Sequence, residues 1–202
     1  RGACLDAAGA LALVDGGRSV VLCAARELRV PGRHNVANAL AAAVAADACG
    51  VLPQTIAAVL RGFTGVAHRQ EAVGEADGVL WVNNSQGTTP DSTIVALDSY
   101  ERPAVVILGG ASKGSPFGAM ARAVVGRGRG AVVIGRDAPL IVEALAAAKR
   151  DLGKPAYPVE RAPSLEEAVR CARAMALPGD VVILSPACTS FEKDFARGVR
   201  LA

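Results

Sequence analysis

The 202-residue chain is 51 % hydrophobic and 20 % charged, with 22 basic against 19 acidic residues, a balance that supports a sizeable core and excludes disorder. The net charge of +3 comes without any Lys/Arg block interleaved with aromatics, which argues against a nucleic-acid surface. Aromatics are only 3 %, so the core must be Val, Ile, Leu and Ala, as in parallel strands covered by Ala-rich helices.

In chain order, residues 10–30 hold three short β-like runs, "ALALVD", "SVVLC" and "ELRV". Gly16 and Gly17 between the first two signal a hairpin. From Pro31 the apolar spacing turns helical, through "GRHNVANALAAAVAADACG", and stops at Gly50. A second helix starts at Pro53, "PQTIAAVLRGF", with proline in its first turn. After "TGVAHRQEAVGEADG" the texture changes. Strands are expected at 79–82, 104–108, 131–134, 157–159 and 181–184. Helices are expected at 89–99, 117–125, 138–150 and 164–176, and from about Phe191 to the end. Near-continuous apolar strands with helical crossovers predict a parallel, doubly wound sheet. Arg127 and Arg129 lie among glycines and read as a solvated loop.

The five cysteines, Cys4, Cys23, Cys49, Cys171 and Cys188, show no CxxC spacing. They read as buried free thiols of a reducing cytosol rather than disulfides or metal ligands. No metal-ligand cluster is visible. The longest Ala-rich run, 37–49, contains Asn38 and Asp47 and is too short to span a bilayer. No signal-peptide pattern is present. The chain starts without Met at "RGACLD" and is expected to be part of a longer protein.

Ligands of parallel sheets sit beyond the carboxyl ends of the strands, and three loops there have unusual content. "NNSQGTTPD", 83–91, is nearly all amides and hydroxyls. It can read a sugar or a small polar metabolite, while Thr89 or Asp91 can equally cap the following helix. "LGGASKGSPF", 108–117, has Gly109, Gly110 and Gly114 to let backbone approach an anion, and Lys113 as a point charge. It fits neither the P-loop nor the GxGxxG pattern. "LSPACTSFEKDF", 184–195, sets Ser185, Thr189 and Ser190 at a helix start, where free N–H groups favour a carboxylate or phosphate. Ordinary capping by Thr189 or Ser190, with Cys188 as packing, is the alternative. In a parallel sheet all three loops share one edge and suit a small anionic substrate such as an amino acid. Earlier in the chain, Asn35 and Asn38 fall on one helical face, where their amides can meet an adenine edge. Capping by Asn35 is the alternative. Arg69 can stack on a base, bind phosphate or form a structural salt bridge. His34 and His68 match no known nucleophile–base signature.

Taken in order, "PGRHNVANALAA", "FTGVAHRQE", "VNNSQGTTPDSTIVAL", "LGGASKG" and "LSPACTSFEKDF" resemble the Mur ligase family, nearest to its D-glutamate-adding members. The resemblance implies that residues 1–70 end a central ATP-binding domain, with short strands plus helices. It further implies that residues 71–202 form the C-terminal domain, a Rossmann-like, mostly parallel α/β sheet with helices on both faces. It implies ATP-dependent ligation of D-glutamate to UDP-N-acetylmuramoyl-L-alanine through an acyl phosphate, in cytoplasmic peptidoglycan precursor synthesis. ATP and Mg2+ would be the cofactors, with the catalytic and metal-binding residues upstream of this chain. A monomer acting on small molecules, without membrane or nucleic acid, is expected. By this resemblance Asn35, Asn38, Arg69 and Asn84 contact the nucleotide. Gln86, Thr88, Lys113, Ser190 and Phe195 belong to the amino-acid side. Asn84 stands where the family usually has Asp, Gln86 where Lys is usual, and the "SFEKDF" segment is about two residues shorter than the usual form. Another Mur-type or folylpolyglutamate-like amide ligase, or a non-catalytic Rossmann-like homologue, is the alternative reading.

Overall fold

The computed structural model describes residues 1–189. The chain divides into two compact units, Arg1–Gly65 and Val66–Ala202.

In the first unit, β1 (Gly2–Leu5), β2 (Ala10–Asp15) and β3 (Arg18–Ala24) form an antiparallel sheet in that order. The Gly16–Gly17 turn, both residues at positive φ, closes the β2–β3 hairpin, as the glycine pair predicts. The "ELRV" run is not a strand. It starts in one 3-10 turn, Ala25–Glu27, pinned by the Glu27 carboxylate accepting from Ala24 N–H at 2.7 Å. Helices α1 (Arg33–Ala48) and α2 (Pro53–Gly62) follow. Gly50, at φ 82°, ends the first of them in the left-handed conformation. Leu13, Leu22, Ala43, Ile56 and Ala57 make the small core of this unit.

The second unit holds six strands and four helices among the described residues. Strand β4 (Glu71–Ala76) turns back into β5 (Val79–Asn83). Then come α3 (Pro90–Asp98), β6 (Ala104–Gly109), α4 (Gly118–Arg127), β7 (Gly128–Ile134), α5 (Ala138–Asp151), β8 (Val159–Arg161), α6 (Leu165–Met175) and β9 (Val181–Leu184). The sheet order is β4-β5-β9-β6-β7-β8, and all neighbours except β4–β5 are parallel.

Period-2 alternation sorts the strand side chains between two faces. Val106, Leu108, Val133 and Ile183 pack with Met120, Val124, Ile141 and Leu145 of α4 and α5. Val105, Ile107, Val132 and Val182 pack with Ala168 and Ala172 of α6. The path runs outward from β5 through β8 and then returns to β9. A consistent crossover hand therefore puts α6 on the face opposite α3, α4 and α5. That return wedges β9 between β5 and β6, so the exits of all three lie side by side.

Arg127 and Arg129 are not loop residues. Arg127 ends α4 and pairs with Asp98. Arg129 lies in β7 and holds the buried Asp180 carboxylate. The glycines beside it answer to packing rather than to a loop. A Cβ at Gly130 would stand 2.8 Å from Met175 Sδ, and one at Gly128 would stand 2.4 Å from the Val124 carbonyl.

Candidate functional site

The exits of β5, β9 and β6 are tied to one another by hydrogen bonds. Asn84 N–H donates to the Leu184 carbonyl at 2.8 Å, and Ala187 N–H to the Gly87 carbonyl at 2.9 Å. Gly109 N–H donates to the Pro186 carbonyl at 2.9 Å, and Ala111 pairs with Thr189 in an isolated antiparallel bridge. The shared edge expected from the sequence is therefore present for all three loops as far as Thr189. Ser190 and Phe195 lie outside the described residues.

Below this edge is a buried polar cluster. Asn84 Nδ2 donates to Ser185 Oγ at 3.0 Å. Thr93 Oγ1 lies 2.9 Å from Ser185 Oγ and donates to the Ser185 carbonyl at 3.2 Å. Thr93 and Ser185 are fully buried and Asn84 nearly so. Gly87 has to be glycine here. A Cβ would come within 2.5 Å of Asn84 Nδ2 and 3.0 Å of Ser185 Oγ. Ser185 was expected at a helix start with an available hydroxyl. It instead follows β9 directly, and its hydroxyl is used inside the protein.

The turn at 66–70 packs on the same loop. Its Val66–Arg69 bridge closes it, with Arg69 N–H on the Val66 carbonyl at 3.1 Å. His68 and Gln70, on either side of Arg69, adopt left-handed φ of 66° and 46°. Non-glycine residues rarely take this conformation, which costs on the order of 1 to 3 kcal/mol each. The strain is held by Gln70 N–H on Asn84 Oδ1 at 3.2 Å, Gln86 N–H on the His68 carbonyl at 3.1 Å, and His68 N–H on Glu71 Oε2 at 2.8 Å. Asn83 Nδ2 adds a contact to His68 Nδ1 at 3.0 Å. Arg69 itself is exposed, and its guanidinium makes no ion pair among the described residues.

Around the rim, Gln86 and Lys113 are exposed and Thr88 is half-buried. Thr89, not Asp91, caps α3, in a reciprocal box with Ser92. Two glycines of the β6 loop have a different reason from the one expected. A Cβ at Gly109 would stand 1.9 Å from the Ile134 carbonyl oxygen, and one at Gly110 would stand 2.6 Å from that of Thr189. They admit the chain's own backbone. Gly114 alone faces open space. Asp137, which the sequence did not single out, braces this loop by accepting from Ser112 N–H at 2.7 Å. Its hydrogen bonds with Arg136 and Ser112 hold its carboxyl below the ordinary Asp range. Burial pushes the Cys188 thiol up to about 11, with the Asp137 charge adding to it, so Cys188 is a packing residue and not a thiolate at neutral pH. Of the other free thiols, Cys23 is buried, Cys4 and Cys171 are half-buried, and Cys49 is exposed.

In the first unit, Asn35 and Asn38 do share a face of α1. Asn35 Nδ2 donates to the Pro31 carbonyl at 2.6 Å, and Asn38 Nδ2 to Asn35 Oδ1 at 3.4 Å. The N-cap is Gly32, not Asn35. Among the described residues no three or more His, Cys, Asp or Glu side chains gather as a metal site. No described helix is long and apolar enough to cross a membrane.

A mostly parallel sheet with helices on both faces, whose adjoining strand exits are joined into one polar rim, defines an open α/β domain, a class in which ligands sit beyond the carboxyl ends of the strands. Residues 68–188 match the family described as Mur ligase, glutamate ligase domain. The chain is 47 % identical over 182 residues to the UDP-N-acetylmuramoylalanine–D-glutamate ligase of Pelotomaculum thermopropionicum, covering 90 % of this chain and 38 % of that protein. It is 42 % identical over 192 residues to the enzyme of the same name from Methylococcus capsulatus, covering 91 % and 40 %. The chain belongs to the Mur ligase family. It spans about two fifths of the length of these relatives. The UDP-N-acetylmuramate–alanine ligase of Thermotoga maritima shares the fold, with a TM-score of 0.65 at 21 % identity over 94 % of this chain and 42 % of that one. So does the folylpolyglutamate synthase of Mycobacterium tuberculosis, with a TM-score of 0.65 at 20 % identity over 96 % and 46 %.

Proposed function

We propose that this chain is the amino-acid-binding end of an ATP-dependent amide ligase that joins D-glutamate to UDP-N-acetylmuramoyl-L-alanine in the cytoplasm. Residues 1–70 would end the central ATP-binding domain, and residues 71–202 would make the C-terminal one. The observation that carries this reading is the hydrogen-bonded convergence of the 83–89, 109–114 and 185–189 loops on one rim. The names of the relatives supply the substrate.

In the reaction, the γ-phosphoryl group of ATP passes to the substrate carboxylate and ADP is released. The D-glutamate nitrogen then attacks the acyl carbon. A C–N bond forms, the C–O bond to phosphate breaks, and the amine gives up a proton. The task of this chain is to bring the amine to the acyl carbon, which is orientation and water exclusion. Lys113 and Thr88, with Ser190 and Phe195 beyond the described residues, would hold D-glutamate. The exposed ammonium of Lys113 suits a carboxylate, and Gln86 adds a neutral amide at the rim. The paired amides of Asn35 and Asn38 suit an adenine edge, and the exposed Arg69 guanidinium suits phosphate or a base face. Asn84, after its two internal bonds, retains one N–H and one lone pair for a ribose hydroxyl. Bound ATP supplies the phosphoryl group that activates the acid. The described residues offer no His, Cys, Asp or Glu cluster for Mg2+.

The test joins this chain to the remaining N-terminal portion of the Pelotomaculum relative and measures D-glutamate-dependent ADP release. Activity with D-glutamate and not with a panel of other amino acids is expected. Lys113→Ala should raise the KM for D-glutamate about tenfold or more, the equivalent of one lost charge-assisted bond. An unchanged KM removes Lys113 from the pocket. The chain alone should neither hydrolyse ATP nor form product.

A further inference from the structure

The Asn84 side chain has one possible orientation. Gln70 N–H is a donor and requires an acceptor, so Oδ1 faces it and Nδ2 faces Ser185. The proton order below Asn84 then follows. The buried Ser185 carbonyl can only accept, so the single Thr93 proton is assigned to it, and Ser185 Oγ, which accepts from Asn84, then gives its own proton to Thr93 Oγ1. The result is a one-way relay: Asn84 amide, Ser185 hydroxyl, Thr93 hydroxyl, Ser185 carbonyl. It starts on an amide N–H and ends on backbone inside the core. Its upper end is Asn84 Oδ1, one of the few groups holding the 66–70 turn against two left-handed residues.

We propose that Ser185 is a positioning residue, which fixes the Asn84 amide and through it the strained turn that presents Arg69. The role given to Arg69 rests on the ligase reading above; the positioning itself does not. Ser185 touches no ligand in this scheme. Its hydroxyl orients Asn84, and Thr93 orients the Ser185 hydroxyl. Without that hydroxyl the amide has no buried partner on its Nδ2 side and is free to rotate. Oδ1 then leaves Gln70 N–H, and the turn relaxes toward ordinary backbone angles. The scheme also requires an amide at position 84. A carboxylate there has no proton to give, so Ser185 would donate upward, and its single proton would no longer be available to Thr93 Oγ1.

Two measurements test this, and the first needs no ligase activity. Amide hydrogen exchange of the chain is followed by NMR in the unsubstituted protein, in Ser185→Ala and in Thr93→Val, which breaks the relay lower down at nearly constant volume. The expected result is that Gln70 N–H exchanges about fivefold faster or more, the scale of one lost hydrogen bond. Amides of Val106 and Ile107 in the sheet centre should keep their rates. Unchanged Gln70 exchange overturns the proposal, as does acceleration shared equally by the sheet centre, which marks general destabilisation. Thr93→Val carries the test if Ser185→Ala does not fold. The second measurement uses the joined ligase described above. Ser185→Ala should raise the KM for ATP about fivefold and leave that for D-glutamate within about twofold. A fall in kcat with both KM values unchanged overturns the link to Arg69. If the unsubstituted joined protein makes no product, the ligase reading fails, and the exchange result still decides the role of Ser185.

Discussion

Thr189 and Ala111 hold each other by three hydrogen bonds. Ala111 N–H donates to the Thr189 carbonyl at 2.9 Å, Thr189 N–H donates back at 3.0 Å, and Thr189 Oγ1 adds a third to the Ala111 carbonyl at 2.9 Å. The Thr189 hydroxyl thus latches the Lys113 loop to the exit of β9 rather than waiting for a ligand. Thr189→Val removes one bond at nearly constant volume and leaves the bridge. A loss of about 1 kcal/mol is expected, seen as a fall in Tm of roughly 2–4 °C. An unchanged or higher Tm would show that the hydroxyl holds nothing.

The glycines of the same loop separate by what surrounds them. A Cβ at Gly109 meets the Ile134 carbonyl at 1.9 Å, at a φ of 130°, so Gly109→Ala must move backbone of β7. It should cost more than about 4 kcal/mol, or prevent folding altogether. Gly114 also has positive φ, but nothing lies within 4 Å of its Cβ position. Gly114→Ala should cost only about 1–2 kcal/mol of backbone strain. Urea unfolding of the two variants gives the comparison, and equal losses would refute the distinction.

Asp137 makes the Lys113 loop sensitive to acid. Its carboxylate accepts from Ser112 N–H and pairs with Arg136 at 3.0 Å, and these bonds lower its pKa. A carboxyl depressed in the folded state contributes fully above its ordinary value of about 3.9. That contribution is lost as pH falls through the lower folded value. Asp137→Asn should therefore speed exchange of the Ser112 amide at neutral pH, and its difference from the unsubstituted protein should shrink below about pH 4. A difference that stays constant down to strong acid would mean that the charge is irrelevant to the loop.

What the sequence told and what it hid follow from the range of the interactions. The hairpin at Gly16–Gly17, the helix start at Pro53 and strands β5, β6, β7 and β9 are written in local spacing, whereas spacing left the α3 cap open between Thr89 and Asp91. Strand β4 was not legible because it is an antiparallel edge exposed along its whole length, so "EAVGEA" carries no apolar alternation. Gly109, Gly110, Gly128 and Gly130 looked like flexible or anion-binding positions. Their neighbours, Ile134, Thr189, Val124 and Met175, approach only in the folded sheet. The shared rim was readable from the topology of a parallel sheet. The Asn84–Ser185–Thr93 cluster was not, since Asn84 and Ser185 lie 101 positions apart and Thr93 and Ser185 lie 92 apart. No pattern in one sequence marks which hydroxyls point inward.

Arg129 was the clearest misplacement, and it carries the last prediction. Asp180 is 1 % exposed. Burial pushes its carboxyl up, but hydrogen bonds from Arg129 and Leu177 N–H outweigh that, and the net direction is down. Its contribution is thus present above the ordinary Asp pKa and fades as pH falls through the folded value. Arg129→Ala leaves the buried carboxylate with its backbone donor alone. The cost should be about 2–3 kcal/mol at pH 7, below the range for a fully buried pair because the Arg129 side chain is 35 % exposed. In the variant burial dominates, so the folded pKa lies above the unfolded one and the sign of the pH dependence reverses. Protonation now relieves the carboxylate, and the gap between variant and unsubstituted protein should narrow from pH 7 toward pH 3.5. Urea unfolding across that range reads the gap directly. If it stays constant, Arg129 acts by packing its alkyl stem, and the charge on Asp180 contributes nothing to its role.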